Sequence, residues 1–169
     1  EMALSEEDVT RDVYENLISA VHEGAPVMHR YMQVRKQALG LAAMHMYDIY
    51  IPLVEDAELR LSYEDAYELV LKGLAPLGEE YISLLKKGRD ERWIDVCETE
   101  GKASGAYSIG VYGTHPFVLL NYQQTTHDVF TIAHEMGHSL HSWYSNKTQP
   151  YAKSDYKIFV AEVASTVNE

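Results

Sequence analysis

His134-Glu135-Met136-Gly137-His138 sets two imidazoles four residues apart, with a carboxylate directly after the first. On an α-helix, positions four apart lie one turn above each other on the same face, so both rings can reach a single cation. Glu135 falls about 100° around the axis from His134, where a carboxylate can hold a water beside that cation. The chemistry this suggests is metal-assisted hydrolysis, with the carboxylate as general base. A helix carrying two ordinary histidines is the alternative, so the surroundings have to decide.

Val129, Phe130, Ile132, Ala133, Met136, Leu140 and Trp143 accompany the motif, the pattern of a core helix rather than a solvated one. Further along, Glu162 is the only charge in Ile158-Phe159-Val160-Ala161-Glu162-Val163-Ala164. A carboxylate in so apolar a run is costly to bury unless neutralised, and a divalent cation neutralises it. The competing reading is a partly exposed Glu on the polar edge of its helix. Two His and a Glu from a second helix, 24 residues after His138, make a three-ligand set with an open position, as in catalytic zinc sites. A metzincin needs Gly at the third and His at the sixth position after His138, but these are His141 and Tyr144. The inverted motif is absent too. His141 shares the stripe of His134 but lies about 10 Å along the axis, too far for easy joint ligation.

The elements that must position these groups are mostly helical. Ser5-Glu6-Glu7-Asp8 has capping-box spacing, and Val9, Val13, Leu17 and Val21 follow at helical turns until Gly24-Ala25-Pro26 breaks the pattern. The pattern resumes at Met28 and runs to about Leu41. Ser62-Tyr63-Glu64-Asp65 is a second capping box, opening a helix through Leu71, and Glu79 to Lys87 reads as another that ends at Gly88. Near residue 100 the texture changes. Gly101, Gly105, Gly110 and Gly113 frame Ala106-Tyr107-Ser108-Ile109, and Pro116 precedes the β-rich run Phe117 to Tyr122. Two neighbouring strands joined through Gly113-Thr114-His115-Pro116 are expected. Thr125-Thr126-His127-Asp128 caps the helix of the His pair, from about His127 to Tyr144, and Tyr156 to Glu169 forms a last helix. His115 and His127 read as turn and cap residues. The expected fold is mainly α. Residues 1–100 form a helical region, and residues 101–169 a small sheet plus the two ligand helices, in one continuous domain. The last helix reaches the C-terminus in mid-pattern, which suggests a chain that continues.

The chain has 169 residues, enough for one ordinary domain. Lys plus Arg is 14 against 26 for Asp plus Glu, a net charge of −12, which argues against nucleic-acid or anionic-membrane partners. Cys97 is the single cysteine, so an internal disulfide is excluded and a reducing compartment is its natural setting. No apolar run approaches the roughly 20 residues of a membrane span, and the stretch Glu1 to Asp8 is acidic, the reverse of a signal peptide. A cytoplasmic protein is the expectation.

His134-Glu135-Met136-Gly137-His138-Ser139-Leu140-His141, with Phe159-Val160-Ala161-Glu162-Val163-Ala164-Ser165-Thr166, closely resembles the oligoendopeptidase F family of thimet-oligopeptidase-like zinc peptidases. The resemblance extends through Ser104-Gly105-Ala106-Tyr107-Ser108, His115 to Tyr122, and His45-Met46-Tyr47-Asp48-Ile49-Tyr50. It implies a largely helical peptidase with a deep cleft and a small sheet beside the zinc helices, cutting short peptides, usually in the cytoplasm. It also implies one Zn²⁺ on His134, His138 and Glu162, with Glu135 as general base. On that reading Gly105, Ala106, Tyr107 and Ser108 form an edge that pairs with extended substrate, and Ser165 and Glu169 stand behind the ligands. Members of the family continue beyond the third ligand, into a segment whose Tyr and His residues hold substrate and oxyanion. The remainder of the same peptidase domain is therefore an expected partner, and residues 1–169 alone are expected to bind zinc but hydrolyse peptides poorly. Two rivals stay open: a module that holds zinc structurally, and an interaction domain without metal.

Overall fold

Thr10 starts the first long helix, because its hydroxyl accepts a hydrogen bond from the Val13 amide and satisfies one of the free donors of a helix N-terminus. The computed structural model describes residues 2–54 and 60–169, and the chain divides into two compact units, Glu1–Ala57 and Glu58–Glu169.

The first unit holds α1 (Met2–Ser5), α2 (Arg11–Ala38) and a 3₁₀ turn at Met46–Tyr50. Two expectations fail here. The Ser5 capping box does not open the long helix: α1 ends at Ser5, and Asp8 adopts φ +56, a left-handed conformation that ends one helix before Thr10 starts the next. Pro26 does not end a helix either, since α2 runs through it. Proline forfeits one hydrogen bond and crowds the preceding turn, at about 3 kcal/mol, but the turns on both sides propagate across that single gap. The buried Arg35 donates to the carbonyls of Asp48, Ile49 and Ile51, tying the 3₁₀ turn to α2. Asp48 in turn accepts from the His45 amide.

In the second unit, Ser62 accepts from the Asp65 amide at 3.1 Å and opens α3 (Tyr63–Gly73). The next helix, α4 (Glu79–Asp90), passes through Gly88 rather than ending there. The reason is packing: a Cβ on Gly88 would meet Met136 Cε at 3.0 Å and the Trp93 ring at 3.1 Å. Three short strands follow: β1 (Ile94–Asp95), β2 (Tyr107–Ile109) and β3 (Phe117–Leu119), in the order β1-β3-β2. β2 pairs antiparallel with β3, Ser108 opposite Val118, and β1 pairs parallel with it, Ile94 opposite Val118. The sheet lies against α5 (Thr126–Thr148), whose main packing partner is α6 (Ile158–Asn168). Tyr67, Leu85, Trp93, Ile132, Met136 and Leu140 are the heart of the core. Phe130 stays exposed. Among the described residues no helix is long and apolar enough to cross a membrane.

The contact between α5 and α6 is made by small and polar groups. Ile158, Phe159, Val163 and Val167 are exposed, whereas Ser165 and Asn168 are buried. Gly137 makes the approach possible, because a Cβ there would lie 2.7 Å from the Ala164 carbonyl oxygen and the Ser165 Cα. Gly137→Ala must push backbone against backbone, so it is expected to destabilise the fold by about 1–3 kcal/mol in urea denaturation. An unchanged midpoint and slope would contradict this packing.

Candidate metal centre

The helix that carries the imidazoles is anchored at its start. Thr125 Oγ1 accepts from the Asp128 amide, while the Asp128 carboxylate accepts from the Thr125 amide at 2.8 Å and the Gln123 amide at 3.1 Å. This is a reciprocal capping box. Val129, Ile132, Ala133, Met136 and Leu140 then face the core, which turns His134 and His138 toward α6. Their rings meet edge to face, centroids 4.8 Å apart.

Glu162 Oε2 lies 3.4 Å from His134 Nε2 and 3.4 Å from His138 Nε2. One ligand atom from each of the three residues falls within 4.8 Å of the others. A tetrahedral zinc with bonds near 2.1 Å separates its ligand atoms by about 3.4 Å, which the two carboxylate–imidazole distances match, and two imidazoles with a carboxylate are a donor set suited to that ion. Glu162 itself corrects the argument from its neighbours: its side chain is 53% exposed, because the apolar residues around it also face outward. The geometry, and not the cost of burial, is what singles it out.

Each of these three residues is held from behind. Glu169 Oε1 lies 3.1 Å from His134 Nδ1. A backbone hydrogen bond with Ala161 supports His138. The fully buried Ser165 donates to Glu162 Oε2 at 2.8 Å. Such contacts fix ring and carboxylate orientation. Asn168 adds a clamp that the periodic pattern did not reveal: its amide donates to the Ala133 carbonyl at 2.9 Å and accepts from the Tyr81 hydroxyl. It pins the end of α6 to the residue before His134.

Glu135 is buried, and its Oε2 has no hydrogen-bond partner. Burial pushes its carboxyl above the usual range; the His134 charge opposes this, the Glu162 charge adds to it, and a Ser108 backbone hydrogen bond opposes it again. A dry carboxylate with a raised proton affinity is suited to taking a proton. Burial holds His138 below the ordinary imidazole value, against the pull of Glu162, so its ring is neutral at pH 7 and keeps a lone pair for a metal.

Beside Glu135 is a cavity of about 350 Å³ that Gly105, Ala106, Asn121, His127 and Thr131 help to line. Asn121 donates to the carbonyls of Ala103 and Gly105, both at 2.9 Å, and Gly105 takes φ +87, open to glycine without strain. Tyr107 and Ser108 belong to β2, at the sheet's edge. His141 does not join the cluster; it stacks on Tyr156 with centroids 3.8 Å apart. His115 lies flat on Trp93, and its Nδ1 is 2.7 Å from the Pro116 carbonyl.

The profile of peptidase family M3 matches residues 1–169. Oligopeptidase PepF of Bacillus subtilis is 52% identical over 169 residues, covering 100% of this chain and 25% of that protein. An oligoendopeptidase F homolog of Lactococcus lactis is 47% identical over 167 residues, covering 99% and 28%. Among solved structures, a Chlamydophila abortus protein described as a peptidase superposes with a TM-score of 0.85 at 43% identity, covering 99% of this chain and 28% of that one. This chain thus spans about a quarter of the length of the curated relatives it matches. With its whole length matched to that profile, the chain belongs to peptidase family M3.

Proposed function

We propose that the polypeptide carrying this chain is a zinc-dependent oligopeptidase that hydrolyses internal bonds of short peptides in the cytoplasm. The observation that carries the reading is the partnerless buried oxygen of Glu135, next in the chain to a cluster of two imidazoles and a carboxylate whose ligand atoms lie within 4.8 Å of one another. A zinc ion on His134, His138 and Glu162 would polarise a carbonyl and lower the pKa of a water toward about 7. Glu135 is the group of this chain that would accept a proton from an attacking water and return it to the departing amine. Glu169 and Ala161 keep the imidazoles aimed, and Ser165 orients the Glu162 carboxylate. Residues Gly105 to Ser108 offer backbone groups to an extended substrate, as an added strand. Cys97 is free and exposed, which suits a reducing compartment.

The test is hydrolysis of a quenched fluorescent peptide by the intact polypeptide, with and without a chelator. The expected result is one zinc per chain, and loss of turnover on chelation that added zinc restores. Turnover indifferent to the chelator would overturn the reading. Zinc bound without turnover would favour a structural zinc module instead.

A further inference from the structure

The face of α5 that carries Glu135 continues through Ser139 and Ser142, at helical steps of four and three, and β2 lies directly on it. A Cβ on Gly110, the residue after β2, would sit 2.6 Å from Ser142 Cβ. Ser139 is fully buried. Its hydroxyl donates to the Glu135 carbonyl at 3.0 Å and lies 2.8 Å from Ser108 Oγ. A hydroxyl has one proton, and that of Ser139 is committed to the Glu135 carbonyl, so Ser108 is the donor of the pair. A chain of two hydroxyls therefore runs from the middle of the edge strand to the backbone of Glu135, and the Ser108 backbone also bonds the Glu135 residue. Sheet packing alone needs no such arrangement. Alanine at position 139 would fill the contact without a polar group to satisfy, whereas a hydroxyl at full burial is costly unless bonded.

We propose that Ser108 and Ser139 are a positioning pair that locks the substrate-pairing strand to the general base. The proposal rests on the peptidase reading above. Neither serine touches substrate or metal through its hydroxyl; each acts by fixing where Glu135 stands relative to the strand. Misplacement of a reacting group by 1 Å can cost about 10²-fold in rate, and loss of one hydrogen bond permits a fraction of that shift.

The experiment uses the intact polypeptide and compares Ser108→Ala, Ser139→Ala, the double variant and Ser108→Thr. Zinc content, kcat and KM are measured for each on the same peptide. Each alanine variant is expected to retain one zinc and a KM within about twofold, while kcat falls about 10-fold. The double variant should be little worse than the singles, because the two act as one unit. Ser108→Thr keeps the hydroxyl on a residue suited to a strand, so it should recover kcat to within about threefold. Should Ser139→Ala fail to fold, Ser108, only half buried, carries the comparison with its threonine variant. Ser108→Ala with wild-type kcat, a rate loss that merely follows lost zinc, or no recovery with threonine would each overturn the pair. A parent without chelator-sensitive turnover would instead sink the peptidase reading, and the pair's role with it, an outcome that no serine variant can mimic.

Discussion

Glu135→Gln is expected to leave zinc in place and reduce peptide hydrolysis by about 10²–10⁴-fold, the range of a positioned general base. The substitution keeps volume and shape at a buried position, so packing around Ser108 and Ser139 is preserved. What disappears is the capacity to accept a proton. Among the described residues, the nearby carboxylates are otherwise engaged: Glu162 faces the imidazoles, Glu169 contacts His134, and Asp128, which lines the same cavity, caps its helix. Removing a negative charge beside the cluster weakens zinc binding only through space, since Glu135 is not one of the three grouped ligands. The measurement is kcat alongside zinc content for the variant and its parent. Turnover within tenfold of the parent would mean that another group activates the water.

The second large effect is on the metal itself. Glu162→Gln replaces the only anionic member of the ligand set with a neutral amide of equal size. Changing residues behind a ligand typically costs 10–100-fold in affinity, so removing the ligand's charge is expected to exceed about 100-fold. Ser165 remains buried beside the new amide, with its hydroxyl still aimed at the side-chain oxygen, so the site stays formed but poorly charged. His138→Ala should lose affinity to a similar extent while sparing α6. Competition against a zinc-chelating dye reads both. Zinc retained at parental affinity in both variants would remove His138 and Glu162 from the site.

Much of the site could be read before any coordinates, because it depends on spacing within one helix. A spacing of four positions between the imidazoles defines a shared face, and Thr125 and Ser62 announce their helices through caps that bond within four residues. Glu162 was singled out for a reason that does not hold. Apolar neighbours suggested burial, yet α6 turns Ser165 and Asn168 inward and leaves Phe159 and Val163 outside. Periodicity measures which residues share a side; it does not say which side meets a partner 24 residues upstream. The same limit hid Asn168, whose role exists only through Ala133 and Tyr81. β1 escaped because two residues are too few to show an alternation, and Gly88 because a glycine chosen for close packing looks the same as one that stops a helix. Ser108 and Ser139 gave no signal individually; their meaning lies in a contact across 31 positions.

α5 carries both imidazoles of the candidate site and is also the central core helix, which bears on how the proposed zinc would be acquired. Ile132, Met136 and Leu140 are anchored in the interior by Tyr67, Leu85 and Trp93, so packing, rather than an ion, sets the direction of the two imidazoles. Zinc fingers, by contrast, are ordered by their metal. Loading with the proposed zinc would then amount to simple ligand linkage, with stability rising logarithmically with free zinc above the dissociation constant. On the proposed reading, the polypeptide would surrender and regain zinc without passing through an unfolded chain. Activity would then follow the zinc supply of the compartment, reversibly and on the timescale of ion exchange rather than of refolding.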